Sequence, residues 1–268
     1  MEVIASSANK KIKLVASLKQ KKHRDAEGLF IAEGIRLTEA AVEAKWPCRF
    51  GLCTAAAAKN TRVQTLLSQL EARQCPVFEV PEEIYNKISD TQQPQGFLLV
   101  LENSNPLLSS VIDEAGASFI LVLDQLQDPG NVGTIIRTAD AAGCSGIIVM
   151  ENSADIYAGK TVRATMGSLF HLPVVTGVRQ EEVIDFLAQH KISLLTTALD
   201  EQAQPYFSLD FTVPVALVLG NEGAGVSPQL LAKTDQKVFI PMAGRSESLN
   251  VATAAAVLLY EGLRQRYK

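Results

Sequence analysis

The sequence has few of the residues that build metal centres or disulfide frameworks. It contains four cysteines and three histidines in 268 residues, with no C-x-x-C spacing and no closely spaced pair of histidines. These counts and spacings support neither a zinc site nor a disulfide framework. We therefore expect reduced thiols and no metal. The residues concerned are Cys48, Cys53, Cys75, Cys144, His23, His171 and His190.

Long apolar runs are also missing. No run approaches the roughly 20 residues that a membrane-spanning helix needs, and the first residues, MEVIASSANKKIK, lack the apolar segment of a signal peptide. Hydrophobic residues make up 47% of the chain and charged residues 20%, which is typical of a soluble globular protein long enough for two domains. We expect a cytoplasmic protein with no membrane partner.

The net charge of -4 argues against indiscriminate binding to nucleic acid, but the first 24 residues are strongly basic. A local basic segment on an acidic protein is typical of a phosphate contact, and it is also typical of a solvated helix face. Both interpretations remain open on charge alone. The basic residues of this segment are Lys10, Lys11, Lys13, Lys19, Lys21, Lys22 and Arg24, opposed by Glu2.

The N-terminal part, 1–101, alternates short helical and strand patterns and is predicted to form an α/β domain. We expect a basic helix near 7–24, and the segment ENSNPLLSSVIDEAG at 102–116 has the composition of a linker. Further helices are predicted over 34–45 and 61–73, with strands near 29–32, 50–53, 77–80 and 97–101.

The C-terminal part, 117–268, is predicted to form a second α/β domain around a mainly parallel sheet. Uninterrupted runs of Ile, Leu and Val indicate strands that are covered on both faces. A plain Rossmann fold fits the same pattern. The five predicted strands are FILVLD, GIIVM, SLLTTAL, VALVLG and VFIP.

A polar turn follows the first of these strands and opens a helix. Asp128 suits the N-cap, Pro129 the first helical position and Gly143 the C-terminal stop. At 100° per residue, Arg137 lies away from the apolar stripe and therefore away from the sheet. On this pattern alone it is an ordinary exposed arginine.

The segment GNEGAGVSP at 220–228 follows another buried strand. Its glycines allow a ligand to approach the backbone, but their order is not that of a dinucleotide-binding loop, and no Walker lysine follows. Ser227 and Pro228 suit the start of the next helix, and Glu222 suits a helix N-terminus electrostatically.

The segment IPMAGRSESLNVATAAAVLLY at 240–260 passes from a strand through a polar loop into an alanine-rich helix. Backbone amides and small hydroxyl groups at a helix N-terminus can hold a polar ligand. The alternative is a simple N-cap at Ser246 or Ser248, with Asn250 in the first turn. The helix is apolar on nearly all sides, which suits either a central core helix or a dimer interface.

Together, LDQLQDPGNVGTIIRTADAAG at 123–143, ALVLGNEGAGVS at 216–227 and the 240–260 segment resemble, in order, the three motifs of the SpoU-type (TrmH-like) RNA 2'-O-ribose methyltransferases of the SPOUT superfamily. KKHRDAEGLFIAEGIRLTEAA at 21–41 is similar to the ribosomal-protein-L30e-like domain of many rRNA-directed members. The resemblance implies a deep trefoil knot, a homodimer, and RNA as substrate, with rRNA favoured over tRNA.

The resemblance also implies the site residues. The cofactor that it implies is S-adenosyl-L-methionine. The alternative to an active methyltransferase is a catalytically inactive RNA-binding, ribosome-associated factor. The implied catalytic residues are Asn131, Arg137, Glu222, Ser248 and Asn250. The implied cofactor-binding residues are Gly220, Asn221, Gly223, Ile240, Met242 and Leu249. The implied RNA-binding residues are Lys21, Lys22 and Arg24.

Two roles are open for the arginine of the first motif. The family proposal makes it the general base, but a guanidinium is a poor base. We prefer a role for Arg137 in binding the RNA phosphate and stabilising the developing alkoxide, with proton removal late or through water. Glu222 would then orient Arg137 or Asn131.

Overall fold

The computed structural model describes residues 1–267, and the chain forms two compact units. The first consists of Met1–Ser104 and Asp155–Phe170. The second consists of Asn105–Ala154 and the described residues from His171 onward. Each unit has its own β-sheet.

The strands and helices are numbered in chain order. The strands are β1 (Glu2–Val3), β2 (Leu29–Glu33), β3 (Cys48–Cys53), β4 (Val77–Glu79), β5 (Phe97–Glu102), β6 (Phe119–Leu123), β7 (Gly146–Met150), β8 (Val174–Val178), β9 (Ser193–Thr197), β10 (Gln204–Pro205), β11 (Val215–Leu219) and β12 (Gln236–Phe239). The α-helices are α1 (Lys10–Ser17), α2 (Lys21–Glu27), α3 (Ile35–Glu43), α4 (Thr61–Ala72), α5 (Glu82–Ile88), α6 (Pro129–Ala141), α7 (Gly159–Ala164), α8 (Gln180–Gln189), α9 (Pro228–Lys233) and α10 (Val251–Arg266).

The sheet of the first unit has five strands in the order β1-β4-β3-β5-β2. β5 is antiparallel to both of its neighbours, while β1, β4 and β3 run parallel. Residues 97–101 of β5 are almost completely buried, because this strand lies between two others inside the sheet. The sequence patterns predicted four of these strands and missed the short β1, as well as α5.

The basic N-terminal segment forms two helices, α1 and α2, where the sequence predicted one helix near 7–24. The chain turns at 18–20 between them. Arg24 stabilises this turn, since its Nη1 donates to the carbonyl oxygens of Leu18 (2.8 Å) and Lys19 (2.9 Å). The buried guanidinium therefore donates to carbonyl oxygens that would accept backbone hydrogen bonds if the helix continued.

Segment Asp155–Phe170 packs with the first unit, although the sequence prediction placed it within a domain spanning 117–268. The reason is a group of aromatic contacts. The ring centroid of Tyr157 lies 4.7 Å from that of Phe30, and the centroid of Phe170 lies 5.1 Å from that of Trp46. These contacts join positions far apart in the sequence, so no local pattern reveals them.

The segment 102–116, predicted to be a linker, divides between the units after Ser104. Leu108–Val111 forms a short 3-10 helix, and Val111 is fully buried in the apolar core beneath the second sheet. A Cβ on Gly146 would lie only 2.7 Å from the Cβ of Val111. Most of this segment is therefore part of the second unit, despite its polar composition.

The sheet of the second unit is parallel throughout its seven strands, in the order β10-β12-β9-β11-β6-β7-β8. This confirms the predicted α/β class with a mainly parallel sheet. The five predicted strands are present, and β8 and β10 were missed. Because parallel strands end at one edge, the loops that follow β6, β9, β11 and β12 emerge together there.

Helices α6 and α10 pack against each other. Their apolar stripes are buried, and the stripe predicted for α6 is confirmed at 132, 135, 136, 139 and 142. Gly262 of α10 lies against β6, where a Cβ would approach Cε1 of Phe119 to 2.5 Å. The Phe119 ring has little room to move, because Phe211 and Arg266 also contact it.

Among residues 1–267, no helix is long and apolar enough to cross a membrane. The same residues contain no group of three or more His, Cys, Asp or Glu side chains that could hold a metal ion. The four cysteines are free thiols. The Sγ atoms of Cys48 and Cys75 lie 2.7 Å apart, which their spacing in the sequence did not indicate.

We predict that Gly262→Ala destabilises the protein by about 1–2 kcal/mol. Alanine favours a helix by about 1 kcal/mol over glycine, but the methyl group would collide with Phe119, and overpacking typically costs about 1–3 kcal/mol. Urea unfolding measures the change. Thr253→Ala, at an exposed position of the same helix, is the control and should alter stability by less than about 0.5 kcal/mol. Equal stability of the two variants would contradict the packing argument.

Candidate active site

A cavity of about 630 Å³ lies at the carboxyl edge of the seven-stranded sheet. The loops after β9, β11 and β12 and the start of α10 form its walls. It is within the size range of pockets for small molecules. All six residues that the resemblance assigned to the cofactor line it: Gly220, Asn221, Gly223, Ile240, Met242 and Leu249.

The loop after β11 is built by Asn221. Its backbone N–H donates to the oxygen of Gly225, whose N–H donates in return, both at 2.9 Å. Its side-chain Oδ1 accepts from the N–H groups of Gly223 and Ala224, and its Nδ2 donates to the oxygen of Gln125. Asn221 therefore fixes a closed turn whose backbone faces the cavity.

Gly220 is required by this turn itself. A Cβ at Gly220 would lie 2.2 Å from the backbone carbon of Gly225 and from the nitrogen of Val226. A positive φ occurs in this loop at Gly225 (+72°) and not at Gly220, so the close approach of the backbone is what requires glycine here. A substitution at Gly220 thus disrupts the loop before it affects any ligand.

Asp124 fixes the far end of the same loop. It directly follows β6, is 1% exposed, and its Oδ2 accepts from the N–H of Ser227 at 2.7 Å. Ser227 is the N-cap of α9 and Pro228 its first residue, as predicted. A buried carboxylate thus holds the start of a helix against the neighbouring strand.

A chain of side-chain hydrogen bonds connects the three motifs. Nδ2 of Asn131 donates to Oε1 of Glu222 at 3.1 Å, and Nδ2 of Asn250 donates to Oδ1 of Asn131 at 3.1 Å. Glu222 and Asn250 also line the cavity. The structure therefore brings together three of the five residues predicted to be catalytic, from positions about 90 to 120 residues apart.

Glu222 lies in the loop after β11, and its carboxylate contacts the start of α6. Besides Asn131, the backbone N–H groups of Gln127 (3.3 Å) and Asp128 (3.4 Å) donate to its carboxylate. Partial burial opposes ionisation, but the hydrogen bond from Asn131 and those from the backbone outweigh it, so the pKa of Glu222 is lowered. The carboxylate is ionised at neutral pH and interacts favourably with the helix dipole.

Helix α6 begins and ends as the sequence predicted. Oδ1 of Asp128 accepts from the N–H of Asn131 at 2.8 Å, Pro129 is the first helical residue, and Gly143 follows the helix with φ of +74°. Arg137 is exposed on the side away from the apolar stripe, also as predicted. It is about 9 Å along the helix axis from Asn131 and is not part of the cavity wall.

Helix α10 begins later than the N-cap interpretation of the sequence placed it. Asn250 is its N-cap, with Oδ1 accepting from the N–H of Ala252 at 2.9 Å. The expectation of a cap at Ser246 or Ser248, with Asn250 in the first turn, is wrong. The Oγ of Ser246 instead donates to the carbonyl oxygen of Ser248, and Ser248 lines the cavity.

Several wall residues were not predicted. Thr197, Ala198 and Leu199 line the cavity at the end of β9, and Glu247 lines it from the loop before α10. The carboxyl ends of parallel strands are where such sheets bind ligands. That rule singles out β9 once the sheet order is known, and the sequence does not supply the order.

The three basic residues predicted to bind RNA have different environments. Lys21 and Lys22 are exposed on α2, and Lys21 pairs with Asp25 at 2.7 Å. Arg24 is 5% exposed, and its Nη2 lies 2.6 Å from Oδ2 of Asp155. Because its guanidinium is buried and paired with Asp155, Arg24 has a structural role. It is not accessible to RNA, and we remove it from the RNA-binding candidates.

Comparison with known proteins identifies the class of the molecule. A crystal structure of an rRNA methyltransferase from Sinorhizobium meliloti with bound AdoMet is 34% identical, with a TM-score of 0.88 over 100% of this chain and 99% of that one. The SpoU methyltransferase AviRb from Streptomyces viridochromogenes, in complex with AdoMet, is 33% identical, with a TM-score of 0.86 over 96% and 98%. The fold and its cavity therefore define an α/β methyltransferase of the SPOUT class.

Matches to protein-family models and to a curated relative identify the family. The model of the SpoU rRNA Methylase family matches residues 118–260, and that of the MRM3-like substrate binding domain matches residues 9–99. The 23S rRNA (guanosine(2553)-2'-O)-methyltransferase RlmP of Bacillus subtilis (strain 168) is 37% identical over 262 residues, which is 97% of this chain and 98% of that protein. This chain belongs to the SpoU rRNA methylase family, whose cofactor is S-adenosylmethionine.

We predict that Leu249→Trp weakens binding of S-adenosylmethionine roughly tenfold or more, because a larger ring at this wall position occupies ligand volume. Isothermal titration calorimetry measures the dissociation constant. Leu249 is 37% exposed, so the variant should fold. Leu107→Trp, at an exposed position outside the cavity wall, is the control. Unchanged affinity in a folded Leu249→Trp protein would place the cofactor elsewhere.

Proposed function

We propose that this protein transfers the methyl group of S-adenosylmethionine to a ribose 2'-hydroxyl of ribosomal RNA. The observation that carries the proposal is the hydrogen-bonded chain Glu222–Asn131–Asn250 at a cavity lined by the loops of the second and third motifs. The similarity to RlmP, which extends over nearly the full length of both chains, supports RNA of the large ribosomal subunit as the substrate.

The cavity suits the proposed cofactor chemically. Ile240, Met242 and Leu249 provide apolar surface. The N–H groups of the turn are used within it, so the turn at 221–225 offers carbonyl oxygens that can accept from an adenine amino group or a ribose hydroxyl. When bound, S-adenosylmethionine supplies an activated methyl group on a sulfonium. We propose that Gly220, Asn221 and Gly223 act mainly through their backbone, because Asn221 commits its side chain to the turn.

Asn131, Asn250 and Glu222 position one another in this proposal. The carboxylate of Glu222 orients the carboxamide of Asn131, and Asn250 hydrogen-bonds the same carboxamide while capping α10. Of the two orienting roles considered for Glu222, this geometry supports the one through Asn131. Ser248 contributes a hydroxyl group at the cavity wall. Preorganised polar groups of this kind stabilise developing charge at little reorganisation cost.

Arg137 is proposed to bind the RNA phosphate beside the target ribose and to stabilise the developing alkoxide. Its exposure on α6 supports contact with a macromolecule, and a guanidinium can hold two oxygen atoms at once. The proton of the 2'-hydroxyl then leaves late or through water, because a guanidinium is a poor base.

We also propose the family's homodimer, with residues of one subunit completing the RNA site of the other, which suits an arginine that lies outside its own cavity wall. The deep trefoil knot and a cytoplasmic location, where ribosomal RNA is available, belong to the same proposal. Lys21 and Lys22 remain proposed RNA contacts, since both are exposed on α2.

We predict that Arg137→Ala lowers methyl transfer roughly 100-fold or more and leaves the fold and cofactor affinity unchanged. Arg137→Lys should also be impaired, since lysine lacks the planar fork. The measurement is single-turnover transfer of radiolabelled methyl groups to saturating, unmodified large-subunit rRNA, followed by mapping of the modified ribose.

Thr134→Ala is the matched control, because Thr134 is exposed on the same helix and bonds only the helix backbone. It should retain normal transfer. Normal rates in Arg137→Ala would refute the assigned role. Wild-type protein that binds rRNA and cofactor without transferring a methyl group would instead be the inactive ribosome-associated factor.

A further inference from the structure

The first unit contains a cavity of about 540 Å³ that is separate from the three methyltransferase motifs. It lies beside the start of α3 and is also bordered by residues of the 155–170 segment. Its wall contains three arginines, Arg36, Arg62 and Arg163, and one acidic residue, Glu33. The arginines come from three separate parts of the chain, so their convergence is a product of the fold.

The acidic groups near this cavity are already occupied. Glu33 is 7% exposed and accepts hydrogen bonds from the hydroxyl groups of Ser89 and Thr91. Glu39 is bound to the guanidinium of Arg62. Asp90, whose N–H also binds Glu33, forms an ion pair with Lys19 at 2.9 Å.

Arg36 and Arg163 differ from these groups. Neither guanidinium group forms an ion pair or hydrogen bond within the part of the chain that the structure describes. Arg36 is exposed, and Arg163 is half-buried on α7. A half-buried guanidinium without a carboxylate partner, next to a second one, leaves local positive charge inside a concave surface, which attracts anions.

We propose that this cavity binds a backbone phosphate of the RNA together with an adjoining unpaired nucleotide. The inference rests on the proposed function, which supplies RNA as the ligand, and adds a specific contact surface to it. Arg36 and Arg163 hold the phosphate through charge-assisted hydrogen bonds. The volume accommodates a base and ribose in addition to the phosphate.

The remaining wall groups suit a nucleotide. The carboxamide oxygen of Gln95 accepts from the N–H of Ile35 at 2.8 Å, which leaves its carboxamide nitrogen as a donor. Gln93 and Thr91 add polar groups. Met166 is 49% exposed, has φ of +53°, and provides an apolar surface against which a base can pack. Guanidinium planes also stack on unpaired bases, which is a common mode of single-stranded RNA recognition.

The same features argue against an acidic protein partner as the intended ligand. A docking surface for a protein has an apolar core surrounded by polar groups. Among residues 1–267, Met166 is the one large apolar side chain of this wall that is strongly exposed. A concave, cationic and polar wall matches a phosphate and a base better than a helix or strand.

The test compares two double variants that each remove two positive charges from the first unit. One is Arg36→Gln with Arg163→Gln. The control is Lys45→Gln with Lys87→Gln, both at exposed positions outside the cavity wall. Filter binding of an unmodified large-subunit rRNA transcript, at several salt concentrations, gives affinity and salt dependence. Thermal unfolding verifies that both proteins fold, and Arg163→Lys serves as a milder variant that keeps the charge.

We expect the arginine variant to bind this transcript roughly tenfold or more weakly, with a log–log salt slope shallower by about one to two. The lysine control should change affinity less than about twofold. Affinity for S-adenosylmethionine should be preserved in both, because neither pair of residues lines the cofactor cavity. A transcript carrying 4-thiouridine should form photo-crosslinks to peptides containing Met166 or Arg36, identified by mass spectrometry.

Equal losses in the two double variants, or wild-type affinity in the arginine variant, would overturn the inference, as would crosslinks confined to the second unit. These outcomes are separate from failure of the proposed function. If the wild-type protein transferred no methyl group but the Arg36→Gln, Arg163→Gln variant bound RNA more weakly than the wild type, the cavity assignment would stand. The proposed methyltransferase activity would then be refuted. An acidic peptide that binds the cavity more tightly than RNA would assign it to a protein partner.

Discussion

The carboxylate of Glu222 is the group on which the site depends. It accepts hydrogen bonds from the start of α6 and from Asn131, which in turn accepts from Asn250 at the start of α10. Three loops that are distant in the sequence are thereby held in one arrangement. Removing a single partner would leave the others without a donor or acceptor, so the three positions behave as a unit.

Around this group, the fold assigns positioning to buried polar atoms and leaves the cavity walls to backbone and apolar side chains. Asp124 is buried and holds the start of α9, and Asn221 uses all of its side-chain polar atoms to close the turn beneath the cavity. Gly220 is glycine because its own loop passes within 2.2 Å of where a Cβ would be. A rigid backbone wall of this kind suits recognition of a small ligand by shape and by hydrogen bonds.

The basic residues show how burial divides a charge pattern into structural and binding roles. Arg24 belongs to the most basic segment of the sequence, yet its guanidinium is consumed by Asp155 and by two carbonyl oxygens. Arg36 and Arg163 lie outside that basic segment, yet they converge without ion-pair partners. Charge density along a chain measures neither exposure nor pairing, because both depend on residues that are distant in sequence.

The sequence by itself determined the parallel sheet, the caps of α6 and the exposure of Arg137, because these depend on local periodicity and on short segments that fold next to their own strands. The residues at the cavity were predicted through the resemblance of the three motifs to the family. Tertiary structure alone decided that Asn250 caps α10, that 155–170 packs with the first unit, and that Arg24 is buried while two other arginines share a cavity. The packing of 155–170 and the environments of these arginines depend on contacts between distant positions, and the Asn250 side chain that caps α10 is also held by the distant Asn131. Such partners are set only once the sheets have assembled.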